Sequence, residues 1–272
     1  MSTEYKLSKK QLEFYKTQGY LVCNDIFSSQ EINNIVKWSL EIENFPETKG
    51  KWMKYYDQSL KEQSKNTLTR VENFFDYHKE FKSFFSTKKI LNIISMLLES
   101  EPVLFKDKLN LKSPGGYGFD PHIDGHFLWK DKTNNLRKGW KHYASNFLNV
   151  VVPLDITNEV NGCLQVSDLA QTRKFLGSNW ETISSKLISL TPKLKKKYRK
   201  KFTFKPISMK PGDLLLFNWK VCHFSKKNNS RNPRTIFYGT YAEIKNNKKN
   251  IRKQYYRDKI ESKNPIQNKS LN

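Results

Sequence analysis

His122 and Asp124 stand two residues apart in Phe119-Asp120-Pro121-His122-Ile123-Asp124-Gly125-His126-Phe127. On an extended strand, side chains at i and i+2 leave the same face, so this imidazole and carboxylate can converge on one ion. Far downstream, His223 lies in Val221-Cys222-His223-Phe224, another apolar, strand-like run. Two imidazoles and one carboxylate on one side of an ion leave its other side open, the ligand pattern of non-haem Fe(II) sites. His122, Asp124 and His223 are therefore the candidate catalytic metal ligands. His126 would share their face if the strand continued, but Gly125 is expected to end it. A substrate contact or a hydrogen bond suits His126 better than a fourth ligand position. His78 and His142 have no partner motif and read as structural or exposed.

Several short motifs surround these residues in a fixed order. Lys108-Leu109-Asn110-Leu111-Lys112-Ser113-Pro114-Gly115-Gly116 precedes the His122 stretch. Pro211-Gly212-Asp213-Leu214-Leu215-Leu216-Phe217 ends six residues before His223, and Arg234 follows His223 by eleven. Gly19-Tyr20-Leu21-Val22 and Asn161-Gly162-Cys163-Leu164 complete the set. In this order and spacing the motifs resemble the phytanoyl-CoA dioxygenase family of Fe(II)/2-oxoglutarate oxygenases, over most of residues 8–244. The resemblance implies Fe(II) as cofactor, with 2-oxoglutarate and O₂ as cosubstrates.

The far C5 carboxylate of 2-oxoglutarate needs a cation, and a guanidinium pairs with a carboxylate bidentately. Arg234 is the candidate, and the resemblance puts the same role on an Arg at this offset. Ser225 shares a strand face with His223, where the family has a polar donor to the same carboxylate. Asn110, on one face with Lys108, is expected to donate to the C1 carboxylate region. Trp140 and Tyr143 can wall the cosubstrate site or serve as ordinary core aromatics. Arg70 and Glu72 sit where relatives place residues facing the site. Halogenating relatives lack the carboxylate that is present here as Asp124, so the resemblance implies hydroxylation. Two departures limit what carries over. Ile123 replaces the Gln common between the first two ligands, and Ser167-Asp168-Leu169-Ala170-Gln171-Thr172 replaces the usual Pro-Gly-Ser-His. The substrate is therefore not implied.

The elements that position these residues follow from periodicity. Ser8–Gln11 and Ser28–Glu31 have the pattern of capping boxes, the first opening a helix that Gly19 stops and the second a helix over 29–43. Thr87 is expected to cap a third helix. Residues 45–66 read as a loop or partial lid. From Val103 the pattern changes to short strands at 103–112, 119–124, 146–152, 162–166, 202–209, 213–217, 220–225 and 235–244. Residues 171–201 interrupt it with helical spacing at Trp180, Ile183, Leu187 and Leu190 and a basic run, Lys193 to Lys201, which reads as a solvated segment or a flap over the metal mouth. The fold class expected is α+β: a double-stranded β-helix (jelly roll, cupin-like) core with flanking amino-terminal helices. The domain reading is one oxygenase domain over 1–250, helical over 1–100 and jelly roll over 101–245, followed by a basic, frayed tail over 251–272.

With 272 residues and 14% aromatics the chain can bury a full core. The net charge of +23 comes mainly from Lys, 41 against eight Arg, scattered along the chain. No Arg-rich or aromatic-interleaved strand accompanies it, which argues against nucleic acid as a partner. The field favours anionic small molecules. No long apolar run suggests a membrane span, and the amino terminus lacks a signal-peptide core. Cys23, Cys163 and Cys222 are odd in number and set in apolar surroundings, as reduced thiols in a cytoplasmic protein would be. The expected activity is hydroxylation of a small polar or anionic metabolite, with 2-oxoglutarate decarboxylated to succinate and CO₂. The alternatives are a non-catalytic cupin-like metal- or ligand-binding protein and an acyl-CoA hydroxylase.

Overall fold

The computed structural model describes residues 5–58, 66–176, 193–244 and 250–261. In chain order they form α1 (Lys9–Gln18), β1 (Tyr20–Cys23), α2 (Ser29–Glu43), β2 (Met53–Gln58), β3 (Asn66–Glu72), α3 (Lys79–Phe85), α4 (Lys88–Leu98) and β4 (Pro102–Lys112). Then come β5 (Phe119–His122), β6 (Leu128–Lys130), β7 (Leu136–Lys138), a 3-10 turn at Trp140–His142, β8 (Phe147–Pro153), β9 (Leu164–Val166) and α5 (Leu169–Leu176). The chain finishes with α6 (Lys196–Arg199), β10 (Lys205–Pro206), β11 (Leu214–Asn218), β12 (His223–Ser225), β13 (Arg234–Glu243) and α7 (Ile251–Glu261).

Two antiparallel sheets face each other. The larger has the order β1-β11-β8-β13-β4-β3-β2 and the smaller β10-β9-β12-β5; β6 and β7 form a separate hairpin. The jelly-roll expectation holds. Val150-Val151-Val152 shows why the central strand is apolar on both sides. Val150 and Val152 face a helical layer that includes Ile35, Ile42, Phe81, Phe85 and Ile93, while Val151 faces the inter-sheet core with Leu164, Val166 and Phe217. Both capping boxes form, and Gly19 stops α1 at φ +79°. His78 is structural: Phe81 N donates to its Nδ1 at the start of α3, so Nε2 carries the proton toward Glu41 at 3.0 Å.

Three readings need correction. Residues 1–100 are not purely helical, because β2 and β3 extend the larger sheet through Arg70↔Asn110 and Glu72↔Lys108. Their alternation escaped notice because Arg70 and Glu72 face inward, which inverts the usual apolar-in pattern. The partial lid expected over 45–66 is thus replaced in part by β2. The frayed tail expected from 251 is instead a helix over 251–261 that buries Ile251, Arg252, Tyr255, Tyr256 and Lys259. With Arg and Lys among its buried positions, this helix carries no clean apolar stripe. The helical spacing read at Trp180 to Leu190 falls outside the described residues. Among the described residues no helix is long and apolar enough to cross a membrane.

Candidate active site

β5 and β12 pair so that His122 and His223 stand directly opposite each other, with ring centroids 4.3 Å apart. Asp124 follows on the loop after β5. Its Oδ1 lies 3.9 Å from His122 Nε2 and its Oδ2 3.8 Å from His223 Nε2. The three ligand atoms lie within 4.8 Å of one another, a spacing that could hold one metal ion. Among the described residues no other group of three His, Cys, Asp or Glu gathers this way.

The local backbone fixes the tautomers. His122 Nδ1 is 2.7 Å from Asp120 O, and His223 Nδ1 is 3.0 Å from Val221 O. A carbonyl only accepts, so each Nδ1 carries the proton and each Nε2 presents a bare lone pair. Burial, then the proximity of His223, pushes His122 down to about 4, so it is a neutral donor at pH 7. Burial alone would raise Asp124, but His223, His122 and Lys108 hold it below the ordinary carboxylate range. Asn149 Nδ2 donates to Asp124 Oδ2 at 2.8 Å, and Thr240 Oγ1 donates to Asn149 Oδ1 at 2.8 Å. Sequence reading missed both, although a lone Asn inside the buried run Phe147–Pro153 was a signal. Gly125 has φ +66°, and a Cβ there would stand 2.7 Å from Trp140 Cγ. Trp140 thus packs under the loop that bears Asp124.

The triad opens into a cavity floored by the inner face of the larger sheet. On β4 the residues Lys106, Lys108, Asn110 and Lys112 alternate onto that face, opposite Thr240, Tyr238, Ile236 and Arg234 of β13. At one end Arg234 is 1% exposed; its Nη1 donates to Gly162 O at 3.1 Å and its Nη2 to Asn110 Oδ1 at 2.9 Å. Asn110 therefore orients Arg234 through its carbonyl oxygen and turns toward the cavity that it lines. Ser225 Oγ accepts from Lys112 Nζ at 2.9 Å and from Phe119 N at 3.3 Å. With both lone pairs used, its O–H is left to donate into the cavity it lines. Lys112 also donates to Gly162 O and Lys226 O. Burial, then Arg234, pushes Lys112 down to about 6, although its three acceptors match the three N–H groups of the ammonium form.

At the other end Glu72 is fully buried among three cations. Arg70 Nε lies 3.2 Å and Lys106 Nζ 3.4 Å from its Oε1, and Lys259 of α7 contacts Oε2. Burial would raise Glu72, but Lys106, Lys259 and Arg70 hold it far below the carboxylate range. Between the two ends, burial and then Lys106 and Arg70 push Lys108 down to about 7. Arg70 and Glu72 thus face the cavity as anticipated. Lys259, which no motif marked, joins them. Tyr143 also lines the cavity and donates its O–H to Asp258 Oδ2 of α7 at 3.0 Å. His126 Nδ1 lies 3.4 Å from Asp124 O, and its ring is 5.6 Å from that of Trp219, so it packs behind the loop. At the mouth, the basic run docks: Leu194 N donates to Pro121 O, and Lys193 and Arg199 pair with Asp120.

Comparison with known proteins places this geometry. The family model for phytanoyl-CoA dioxygenase (PhyH) matches residues 15–236. A 2-aminoethylphosphonate dioxygenase of the uncultured bacterium HF130_AEPn_1 is 32% identical over 238 residues, covering 87% of this chain and 82% of the relative. A methylphosphonate hydroxylase of Gimesia maris is 25% identical over 235 residues, 86% of this chain and 80% of that one. Among solved structures, EctD from S. alaskensis with 2-oxoglutarate and 5-hydroxyectoine superposes with a TM-score of 0.65 at 18% identity, over 90% of this chain and 79% of that chain. On this match the chain belongs to the phytanoyl-CoA dioxygenase family, whose Fe(II)- and 2-oxoglutarate-dependent dioxygenase activity it shares.

Proposed function

We propose that His122, Asp124 and His223 hold the iron, that Arg234 and Ser225 hold the C5 carboxylate of 2-oxoglutarate, and that the substrate is a small anionic metabolite of the organophosphonate kind. The observation that carries this reading is one cavity joining a two-His, one-carboxylate cluster to a buried Arg at one end and a cation cluster at the other. The donor set fits Fe(II), since backbone carbonyls at Nδ1 turn both imidazoles with Nε2 to the site and the carboxylate of Asp124 is held below its usual range. When bound, the iron couples oxidative decarboxylation of 2-oxoglutarate to transfer of one oxygen atom of O₂ to substrate and the other to succinate.

The chain's residues supply position and field. Asp120 O and Val221 O hold the imidazoles in register, Asn149 holds Asp124, and Asn110 aims Arg234. Trp140 and Phe217 wall the cavity and limit water. The two relatives named for phosphonates support the substrate class. Three buried, unpaired cysteines fit a reducing, cytoplasmic setting.

The test compares two variants of the Fe(II)-reconstituted protein. His223→Ala is expected to lose stoichiometric iron binding and succinate formation. Arg234→Ala is expected to retain iron but to weaken 2-oxoglutarate binding by about 30- to 1000-fold, the equivalent of roughly 2–4 kcal/mol for a desolvated charge-assisted pair. Wild-type turnover in the first or unchanged cosubstrate affinity in the second overturns the assignment.

A further inference from the structure

The cavity has two cationic ends, and one 2-oxoglutarate molecule cannot satisfy both. Arg234 bonds Asn110 at one end and Lys106 stands at the other, and the four residue steps of β4 between them span roughly 13 Å. That is much longer than a five-carbon diacid. If Arg234 takes the cosubstrate, the cluster at the opposite end still faces the cavity. There Arg70, Lys106 and Lys259 carry three positive charges against the single negative charge of Glu72. Glu72 and Lys259 are nearly inaccessible, with side chains 1% and 4% exposed, whereas Lys106 and Arg70 keep 18% and 22% of theirs open. All four line the same cavity as the triad. Excess charge this deeply buried is costly unless a partner ion neutralises it. Counting these four side chains alone, the excess is two, which a dianion matches.

The position suits a substrate head group. Lys106 stands opposite Thr240 in the β4–β13 register, and Thr240 holds Asn149, which holds Asp124. The cluster thus stands beside a residue that is linked through two hydrogen bonds to the carboxylate of the candidate metal site. Glu72 acts as a brace that gathers three cations whose mutual repulsion would otherwise scatter them. Lys259 comes from α7, beyond the family-matched residues 15–236, so this chain completes the end of its cavity with its own carboxy-terminal helix.

Resting on the proposed function, we propose that Arg70, Lys106 and Lys259, braced by Glu72, form a subsite for a tetrahedral dianion. This subsite recognises the phosphonate head of the substrate and holds its carbon chain toward the metal. A phosphonate or phosphate at neutral pH presents several oxygens and close to two charges, which two ammonium groups and a guanidinium match. A sulfonate has the same shape and one charge, and discriminates charge from shape.

The probe is 2-aminoethylphosphonate, titrated calorimetrically and without oxygen into the Fe(II)/2-oxoglutarate-loaded protein. Taurine is its monoanionic isostere, and O-phosphoethanolamine is the phosphate-ester counterpart. The phosphonate is expected to bind at least about 10-fold more tightly than taurine. Lys106→Met and Lys259→Met, which keep the aliphatic stems, are each expected to weaken phosphonate binding by about 10- to 100-fold and to leave 2-oxoglutarate affinity within about two-fold. Inorganic phosphate should raise the melting temperature of the metal-free wild type, and should do so less in Lys106→Met. Lys106 opens into the cavity, so that variant tests the subsite even if Lys259→Met folds poorly. Comparable binding of the phosphate ester supports the dianion subsite, and oxygen insertion into only one of the two identifies the natural source. Equal affinities for sulfonate and phosphonate, or a Lys106→Met protein with normal cosubstrate binding and unchanged phosphonate affinity, overturn the proposal. Loss of iron and 2-oxoglutarate binding in the wild type would instead sink the proposed function itself.

Discussion

Asn149 is the residue whose role is least conspicuous and most easily tested. It lies in the middle of a strand whose seven residues are all buried, where an amide is costly unless paired. Here it is paired on both sides, donating to Asp124 and accepting from Thr240. Partners that orient a metal-binding carboxylate typically contribute 10- to 100-fold to metal affinity. Asn149→Ala is expected to lower Fe(II) affinity by about that factor while leaving 2-oxoglutarate's Arg234 end intact. An iron titration by chelator competition measures it. Unchanged iron affinity would mean that Asp124 is oriented by the loop alone. Gly125 is the complementary case: its positive φ and its contact with Trp140 let the loop turn tightly enough to present Asp124.

At the scale of elements, α7 connects stability with substrate recognition. Arg252 pairs with Asp107 of β4 and bonds Asn73 and Asp76, while Tyr256 O–H meets the same Asp107. Asp107 in turn accepts from Phe74 N and Phe75 N, which fixes the segment after β3. Burial opposes the charge on Arg252, but Asp107 overrides it and holds its pKa above the usual value. Arg252→Ala leaves Asp107 buried without its cation. It is expected to destabilise the fold by roughly 3–5 kcal/mol, toward the lower end because three other donors remain. Urea unfolding of the variant checks this, and a loss below about 0.5 kcal/mol would show that α7 is only loosely docked. Because Lys259 lies on the same helix, partial undocking of α7 should also weaken phosphonate binding before it affects iron.

For the molecule as a whole, the buried imidazoles set an acid limit. His122 and His126 are both pushed down to about 4 from 6.5, chiefly by burial. In the unfolded chain they take up protons below pH 6.5, while in the folded, metal-free protein they stay neutral until about 4. The unfolded state therefore binds more protons throughout that window, and stability falls as pH drops from 6.5 to 4. The combined loss is on the order of several kcal/mol. Thermal melts of the metal-free protein across this range should show the slope, and His122→Gln should flatten part of it. A flat profile in the wild type would show that these rings reach solvent in the metal-free state.

How much could be read in advance depends on the range of the physical signal. The His122–Asp124 pair, both capping boxes, the central strand and the hairpin offset from His223 to Arg234 are local, and periodicity or spacing carries them. The shared face of Lys108 and Asn110 was also visible, but it became interpretable only when β3 and β13 were set beside it. Other features had no local signature. β3 turns charged residues inward, and α7 buries Arg252 and Lys259, so both break the rule that apolar residues mark the buried face. Charges enter an interior only where distant partners meet them: Glu72 with Lys259, and Asp107 with Arg252. The sequence by itself determined the ligand types and the strands that carry them. The tertiary structure decided which charges share a cavity, because that depends on pairings between residues nearly two hundred positions apart.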